Sequence, residues 1–278
     1  MNLRLLAGAA LAGVLFLTAL TAPLLAPHDP QEQDLLNLLL PPSFLAGGDL
    51  LYPLGTDGLG RCVLSRLLYG ARITSVVALL GAAGAGLLGT GLGLLAGYLG
   101  GRTDALVGRL VDVWMAVPPV VFALILLVGL GAGVDKVVLA IVLVDWTRFC
   151  RIVRAEAMGA SRRDYVTAAR LLGFGHLRTL AYEVLPAVLP LVVTLLTLEM
   201  GIAVVVEAVL SFVGLSVSAE TPAWGVMLAD ARTSMYQQPW GVVVPVAAIF
   251  LAVLGFNLLG DGLRRALGSR LSRSRSPA

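Results

Sequence analysis

Long apolar runs separated by short polar breaks dominate the chain, and most of the runs reach membrane-crossing length. No residue between Arg4 and His28 is charged, and Leu5 to Leu25 is long enough to cross a hydrocarbon core of ~30 Å. This run exceeds a signal-peptide core and is followed by Pro23 and Pro27, so we read it as a retained first span rather than a cleaved leader. Residues 27–72 form a polar, Pro/Gly-rich extramembrane segment, and the charge-free stretch Ile73 to Gly101 is the second span. Arg102 to Asp112 reads as a loop, and a third span runs from Val113 to about Val134 with Pro118 and Pro119 early in it. The fourth is the most polar. Eleven residues separate Lys136 from Arg148 and Asp145 lies among them, which predicts a helix starting near Gly133 and leaving the bilayer through Trp146, Arg148, Arg151 and Arg154. Pro186 and Pro190 open the fifth span, to about Leu210, and Trp240 to Gly260 is the sixth. The expected architecture is an all-α membrane protein of six transmembrane helices. Residues 1–71 supply the first helix and an outer segment, 72–262 a five-helix core, and 263–278 a basic tail.

One stretch breaks the apolar pattern. Residues 161–186, SRRDYVTAARLLGFGHLRTLAYEVLP, are an island of charge containing a short amphipathic helix. Ser161 is a suitable N-cap with Asp164 three residues on, and Gly173 is the natural stop because glycine takes the left-handed conformation at little cost. The helix over Ser161 to Leu172 would be roughly 16 Å long. Tyr165, Ala168, Ala169 and Leu172 fall at i, i+3, i+4 and i+7 and share a face, with Arg163, Thr167 and Arg170 elsewhere. A helix this short is marginal alone, so it needs a groove, either on its own chain or on a partner. In the second span, Gly81, Ala85, Gly89, Gly93 and Gly97 recur every four residues, a small-residue ridge for a close helix neighbour in the same chain or another subunit.

Composition fits the pattern: 58% of residues are hydrophobic, 13% are charged and the mean hydropathy is +0.90, usage that belongs to a polytopic membrane protein. The charge places the ends. With the N-terminus inside, fifteen of the 20 Lys and Arg residues fall on inner segments, seven of them between Arg148 and Arg178, and five fall on outer ones. That bias obeys the positive-inside rule and puts the amphipathic helix and both termini in the cytoplasm. The surplus of +3 therefore speaks to topology, not to nucleic acid. Cys62 and Cys150 fall near opposite faces and read as free thiols, and His28 and His176 stand apart in loops, outside any metal-ligand cluster.

Catalytic chemistry has no visible residues. The single lysine, in GAGVDKVV, lacks the glycine spacing and the Ser/Thr of a phosphate loop, and neither a Gly-x-Ser-x-Gly elbow nor a His-Glu-x-x-His helix is present. The remaining candidates are two intramembrane acids, Glu199 and Glu207, eight residues apart and so about 80° around a helix. They suit either an ion or proton relay in a secondary transporter or structural hydrogen bonding, and the second fits better.

Taken together these stretches resemble a known family. Thr167-Ala168-Ala169, then Gly173 after three residues, then Leu185-Pro186 with twelve residues between Gly173 and Pro186, are similar to the EAA loop of binding-protein-dependent ABC importer permeases. LGTDGLGRCVLSRLLYGAR, Asp164-Tyr165-Val166, Glu207 followed by LSFVGL, TPAWGVMLADAR and FNLLGDGLRRAL resemble the C-type subunits of the dipeptide/oligopeptide/nickel group. The likeness runs from residue 5 to about 268. The chain departs from the pattern at Thr167 for the loop glutamate, Ala187 for asparagine, Cys62 for aspartate and Ser216 for glycine, and at Gly268 to Arg270 for Asp-Pro-Arg.

The resemblance implies a type I importer permease fold in the bacterial inner membrane, without cofactor or metal of its own. The Ser161–Leu172 helix would be the coupling helix. Tyr165, Ala168, Ala169, Leu172, Gly173, Leu185 and Pro186 would meet an ATPase subunit that binds the ATP and magnesium. Two such ATPases, a homologous B-type permease and a periplasmic or lipid-anchored solute-binding protein would complete the assembly.

Overall fold

The computed structural model describes residues 3–218 and 220–273. Every regular element among them is helical: α1 (Leu3–Leu25), α2 (Val63–Leu99), α3 (Gly101–Met115), α4 (Pro119–Leu130), α5 (Val134–Ser161), α6 (Asp164–Leu171), α7 (His176–Thr179), α8 (Leu185–Phe212), α9 (Trp224–Ala231) and α10 (Trp240–Arg273). A single π-type turn, Leu180–Val184, joins α7 to α8. The helical part of the expected tail continues α10 without a break, and residues 274–278 lie outside the described residues.

α2 and α5 form the central pair and run side by side in the same direction. The small-residue ridge makes this possible within the chain: a Cβ at Gly81 would lie 3.0 Å from Ile141, one at Gly93 2.7 Å from the Cys150 carbonyl, and one at Gly97 2.8 Å from Ala157. Side chains there would push the backbones apart, and dispersion contacts between close helices would be lost. Of the two uses open to the ridge, packing inside the chain is the one realised. α1 lies antiparallel to α10, with Phe16 edge-on to Phe256 at 6.1 Å and Arg4 3.3 Å from Asp261. The start of α1 and the far half of α10 therefore share one end of the bundle. Cys62 and Cys150 are both free and buried.

Three boundaries differ from expectation. α2 begins at Val63, ten residues before the charge-free run, because the charge of Arg66 is satisfied by long-range carboxylates. The expected loop Arg102–Asp112 is helix α3; Gly100 and Gly101, at φ +65° and +53°, make the sharp turn out of α2. The expected third span is broken. Pro118 and Pro119 supply no amide hydrogens, Pro118 is extended, and α3 and α4 meet at 82°. Among the described residues, four helices can cross a membrane by length and composition, or five with the bent pair counted as one span. α5 falls short of a sixth because Asp145, Arg148, Arg151 and Arg154 occupy its middle and last turns.

At the opposite end of the bundle, residues 26–62 fold into a packed segment beside α9 and the turn before α10. Arg61 pairs with Asp57 at 2.8 Å and Asp230 at 2.7 Å, and Arg66 pairs with Asp57 and, at 2.9 Å, with Asp230. Gln238 donates to the Leu40 carbonyl at 3.1 Å and to the Thr56 carbonyl, while Thr56 Oγ1 donates to Asn37 O at 2.6 Å. α9 was not legible as an element. Its Gly225 lets it sit against the Ala208 carbonyl of α8, and Trp224 Nε1 donates to Leu67 O at 2.9 Å.

Candidate functional site

The amphipathic helix forms, but shorter than expected and turned about its axis. Ser161 does not cap it; its hydroxyl donates to Met158 O at 3.0 Å and Ser161 closes α5. α6 starts at Asp164 after an extended Arg163, with Asp164 in its first turn and Arg170 in its last, both favourable to the helix dipole. Its end follows the expectation. Gly173 stands at φ +85°, its N–H bonds Arg170 O at 3.0 Å and the Phe174 N–H bonds Ala169 O at 3.1 Å, which is a Schellman closure. A Cβ at Gly173 would meet nothing within 4 Å, so the glycine serves the backbone angle rather than space.

The four residues expected to share one face separate. Ala169 is buried, and Val166 turns inward to join Tyr98, Val153, Ala157, Ala160, Val184 and Val188 in one apolar cluster. Tyr165, Ala168 and Leu172 face outward with Leu171, and Leu171 and Leu172 are 84% and 78% exposed. Val166, fully buried, packs against Val153, Ala157 and Ala160 of α5. Next along the chain, Leu177 and Tyr182 are also exposed, and Pro186 lies exposed in the first turn of α8, where a missing N–H costs nothing. Leu185 packs half-buried against the cluster that holds Val166.

The inner face is well anchored. The Arg170 guanidinium lies 4.7 Å from the Tyr98 ring centroid, Tyr98 Oη lies 3.3 Å from His176 Nδ1, and Arg178 lies 4.2 Å over Phe174. α6 is therefore clamped to the ends of α2 and α5 while its other side displays aliphatic and aromatic groups. Such an arrangement can transmit displacement from one side of α6 to the other. Sequence reasoning missed Leu171, Leu177 and Tyr182 on this surface. The signal was present in the Leu171-Leu172 pair just before the glycine, where one leucine alone suits an inward stripe.

The two intramembrane acids are not brought together. Glu199 is buried and accepts from Arg148 Nη1 at 3.1 Å, and Arg148 Nη2 lies 3.6 Å from Asp145 Oδ1, so one arginine ties α8 to α5. Glu207 is buried further along α8 and accepts from Ser211 Oγ. Each acid also keeps one buried carboxylate oxygen, Glu199 Oε1 and Glu207 Oε2, without a hydrogen-bond partner. Among the described residues no cluster of His, Cys, Asp and Glu is disposed to hold a metal ion.

Comparison with known proteins adds the decisive observation. Residues 89–273 match the family model described as binding-protein-dependent transport system inner membrane component. The chain belongs to that family. Residues 4–42 separately match the N-terminal transmembrane domain of oligopeptide transport permease C. Among curated relatives of this permease, the di/tripeptide transport system permease protein DppC of Pseudomonas aeruginosa (strain UCBPP-PA14) is 42% identical over 95% of this chain and 89% of that one. The dipeptide transport system permease protein DppC of Haemophilus influenzae is 38% identical over 95% and 91%. The nickel transport system permease protein NikC of Escherichia coli (strain K12) is 39% identical over 93% and 91%. The sequence resemblance thus holds along nearly the whole permease, and the fold has the helical architecture it implied.

Proposed function

We propose that this chain is one of the two membrane-spanning subunits of an ATP-driven importer for dipeptides, oligopeptides or nickel-type small solutes, and that α6 is its coupling helix. The cargo class rests on the relatives named for peptide and nickel transport. The coupling role rests on one observation: a short helix clamped on one side by Val166, Ala169 and the Arg170–Tyr98 contact shows an unpartnered apolar surface of Tyr165, Ala168, Leu171 and Leu172 on the other. A separate ATPase subunit seats this surface in a cleft. Closure of two ATPases on ATP and magnesium then carries α6 with them, and the attached α5 and α8 rock as rigid bodies between inward- and outward-facing states. Cargo passes between this chain and a homologous B-type permease, delivered by a solute-binding protein on the outer side. The chain itself contributes no catalytic group, and both termini lie in the cytoplasm of a bacterial inner membrane.

Substituting Ala168→Glu tests this in the assembled transporter. Ala168 is exposed, so the free permease should unfold at the wild-type temperature, while ATPase-subunit retention and transport fall about tenfold or more from a charge placed in an apolar cleft. Wild-type retention and wild-type transport together would remove the coupling assignment. Ala169→Glu serves less well, because Ala169 is buried within the chain and its failure reports folding alone.

A further inference from the structure

Between α1 and α2, close to the outer end of the bundle, lies an apolar trough of about 320 Å³ lined by Phe16, Ala19, Leu20, Arg72, Ser75, Val76 and Leu79. We infer that it holds one membrane phospholipid, its phosphate on Arg72, its glycerol ester region at Ser75 and an acyl chain along Val76, Leu79 and Phe16.

Three features lead there. Arg72 is exposed and, among the described residues, has no carboxylate within ion-pair distance; its one recorded partner is the Tyr69 ring, 5.7 Å from the guanidinium. It is also the last charge before the apolar run of α2 starts at Ile73, about 7 Å along the helix axis short of the level where α1 ends at Leu25. A guanidinium on a long stem at that depth reaches the headgroup layer, and Tyr69 beside it is the aromatic type found at that boundary. An arginine fork fits a phosphate in two-point fashion better than it fits water.

Ser75 supplies the second, independent feature. It lines the trough, is 94% buried, and its hydroxyl, closed off from solvent, has no hydrogen-bond partner in the protein, where a donor or acceptor is ordinarily satisfied. It stands three residues below Arg72, roughly 4.5 Å deeper along the helix. In a phospholipid the ester carbonyls lie just beneath the phosphate and the chain beneath them. The third feature is that same order read down the helix face: Arg72, then Ser75 and Val76, then Leu79, at i, i+3, i+4 and i+7. A partner helix laid over this face would strand the guanidinium without an anion, so a protein occupant is the poorer fit.

The assembled importer, purified in detergent and titrated with phosphatidylglycerol, tests the assignment by native mass spectrometry. The wild-type complex should retain one phospholipid that Arg72→Leu holds about tenfold more weakly, the loss expected of one charged hydrogen-bonding group. Leu79→Trp, which plugs the trough and leaves the charge in place, should lower retention as well, and it carries the test alone if Arg72→Leu fails to assemble. Inorganic phosphate should not displace the bound lipid. A photoreactive group on cysteine at Val76→Cys should label lipid. Equal retention by both variants, displacement by free phosphate, or labelling of a protein subunit at that position would each overturn the proposal.

Discussion

The two ends of this bundle are built on opposite plans. At the end holding residues 26–62 and α9, two arginines and two aspartates close a ring, and Gln238 and Thr56 stitch three chain segments together. At the other end α6 is only eight residues long, is closed by a glycine, and leaves its leucines in the open. The first end is tied together by these polar bonds within one chain, although Leu36, Phe44 and Leu50 stand exposed there. The second is rigid but unfinished, which is what a subunit needs if force is to arrive from outside. Buried polar networks specify geometry, whereas exposed apolar groups on a firm base specify a partner.

Breaking the closed end should have the largest effect. Arg66 is buried between Asp57 and Asp230, and removing it by Arg66→Ala leaves two carboxylates to share Arg61. The loss of one buried partner should destabilise this end of the bundle by about 3 kcal/mol, toward the lower end of the range because Arg61 remains and Asp230 is partly exposed. Thermal unfolding of the detergent-solubilised protein measures it. A double-mutant cycle with Asp230→Asn should show coupling, since the two side chains touch. ATPase-subunit retention should change far less than stability, because the ring lies at the end of the bundle remote from α6. Equal loss of both would erase the distinction between the two ends.

The open end should respond locally. Gly173→Ala forces a side chain into the left-handed region at φ +85° without any clash, so the cost is conformational, about 1 kcal/mol. Amide exchange across α6 should then quicken about fivefold while α2 and α5 keep their protection. Retention of the ATPase subunit should weaken modestly, since Val166 still packs into its cluster. If instead the whole bundle loosens, α6 is part of the core and not a separately mounted lever.

What was legible in the sequence follows the same division. Charge-free runs and a four-residue glycine repeat are local properties, so α1, the body of α2, α8 and the first part of α10 could be placed from residues alone. α3 could not. Arg102, Asp104, Arg109 and Asp112 read as loop, yet Arg154, fifty residues away, binds Asp104 through two hydrogen bonds and lets the helix keep its charges. The start of α2 was missed for the same reason, since Arg66 depends on residues 57 and 230. In α6 the glycine stop was visible because a left-handed closure has a strong residue preference. The rotation that buries Val166 was not, because it depends on the shape of the gap above α5. The exposed side of α6 is a property of what the fold leaves uncovered, and no local pattern records that.

The smallest expected effect also sharpens the comparison, through pH. In the segment 26–62 Asp34 accepts from Asn37 Nδ2 at 2.7 Å and from Tyr52 Oη at 3.0 Å, and these bonds hold its carboxyl below the ordinary value of 3.8. Tyr52 moves the other way from its ordinary 10.0, first because it is buried and then because it donates to Asp34. A carboxyl with a lowered folded value adds stability above its unfolded value and loses it as pH falls through the folded one. A phenol with a raised folded value adds stability below its unfolded value and loses it as pH rises through the folded one. This segment should therefore resist protease on a plateau bounded by acid below 3.8 and alkali above 10.0. Asp34→Asn should remove the acid edge of that plateau and lower the alkaline one, while Tyr52→Phe should remove the alkaline edge and weaken the acid one. Cleavage in the α6–α7 region should show neither edge, since none of its contacts uses this pair. If proteolysis at both ends follows the same two limits, the segment 26–62 and the coupling region unfold as one unit, and the contrast between a closed end and an open one loses its energetic basis.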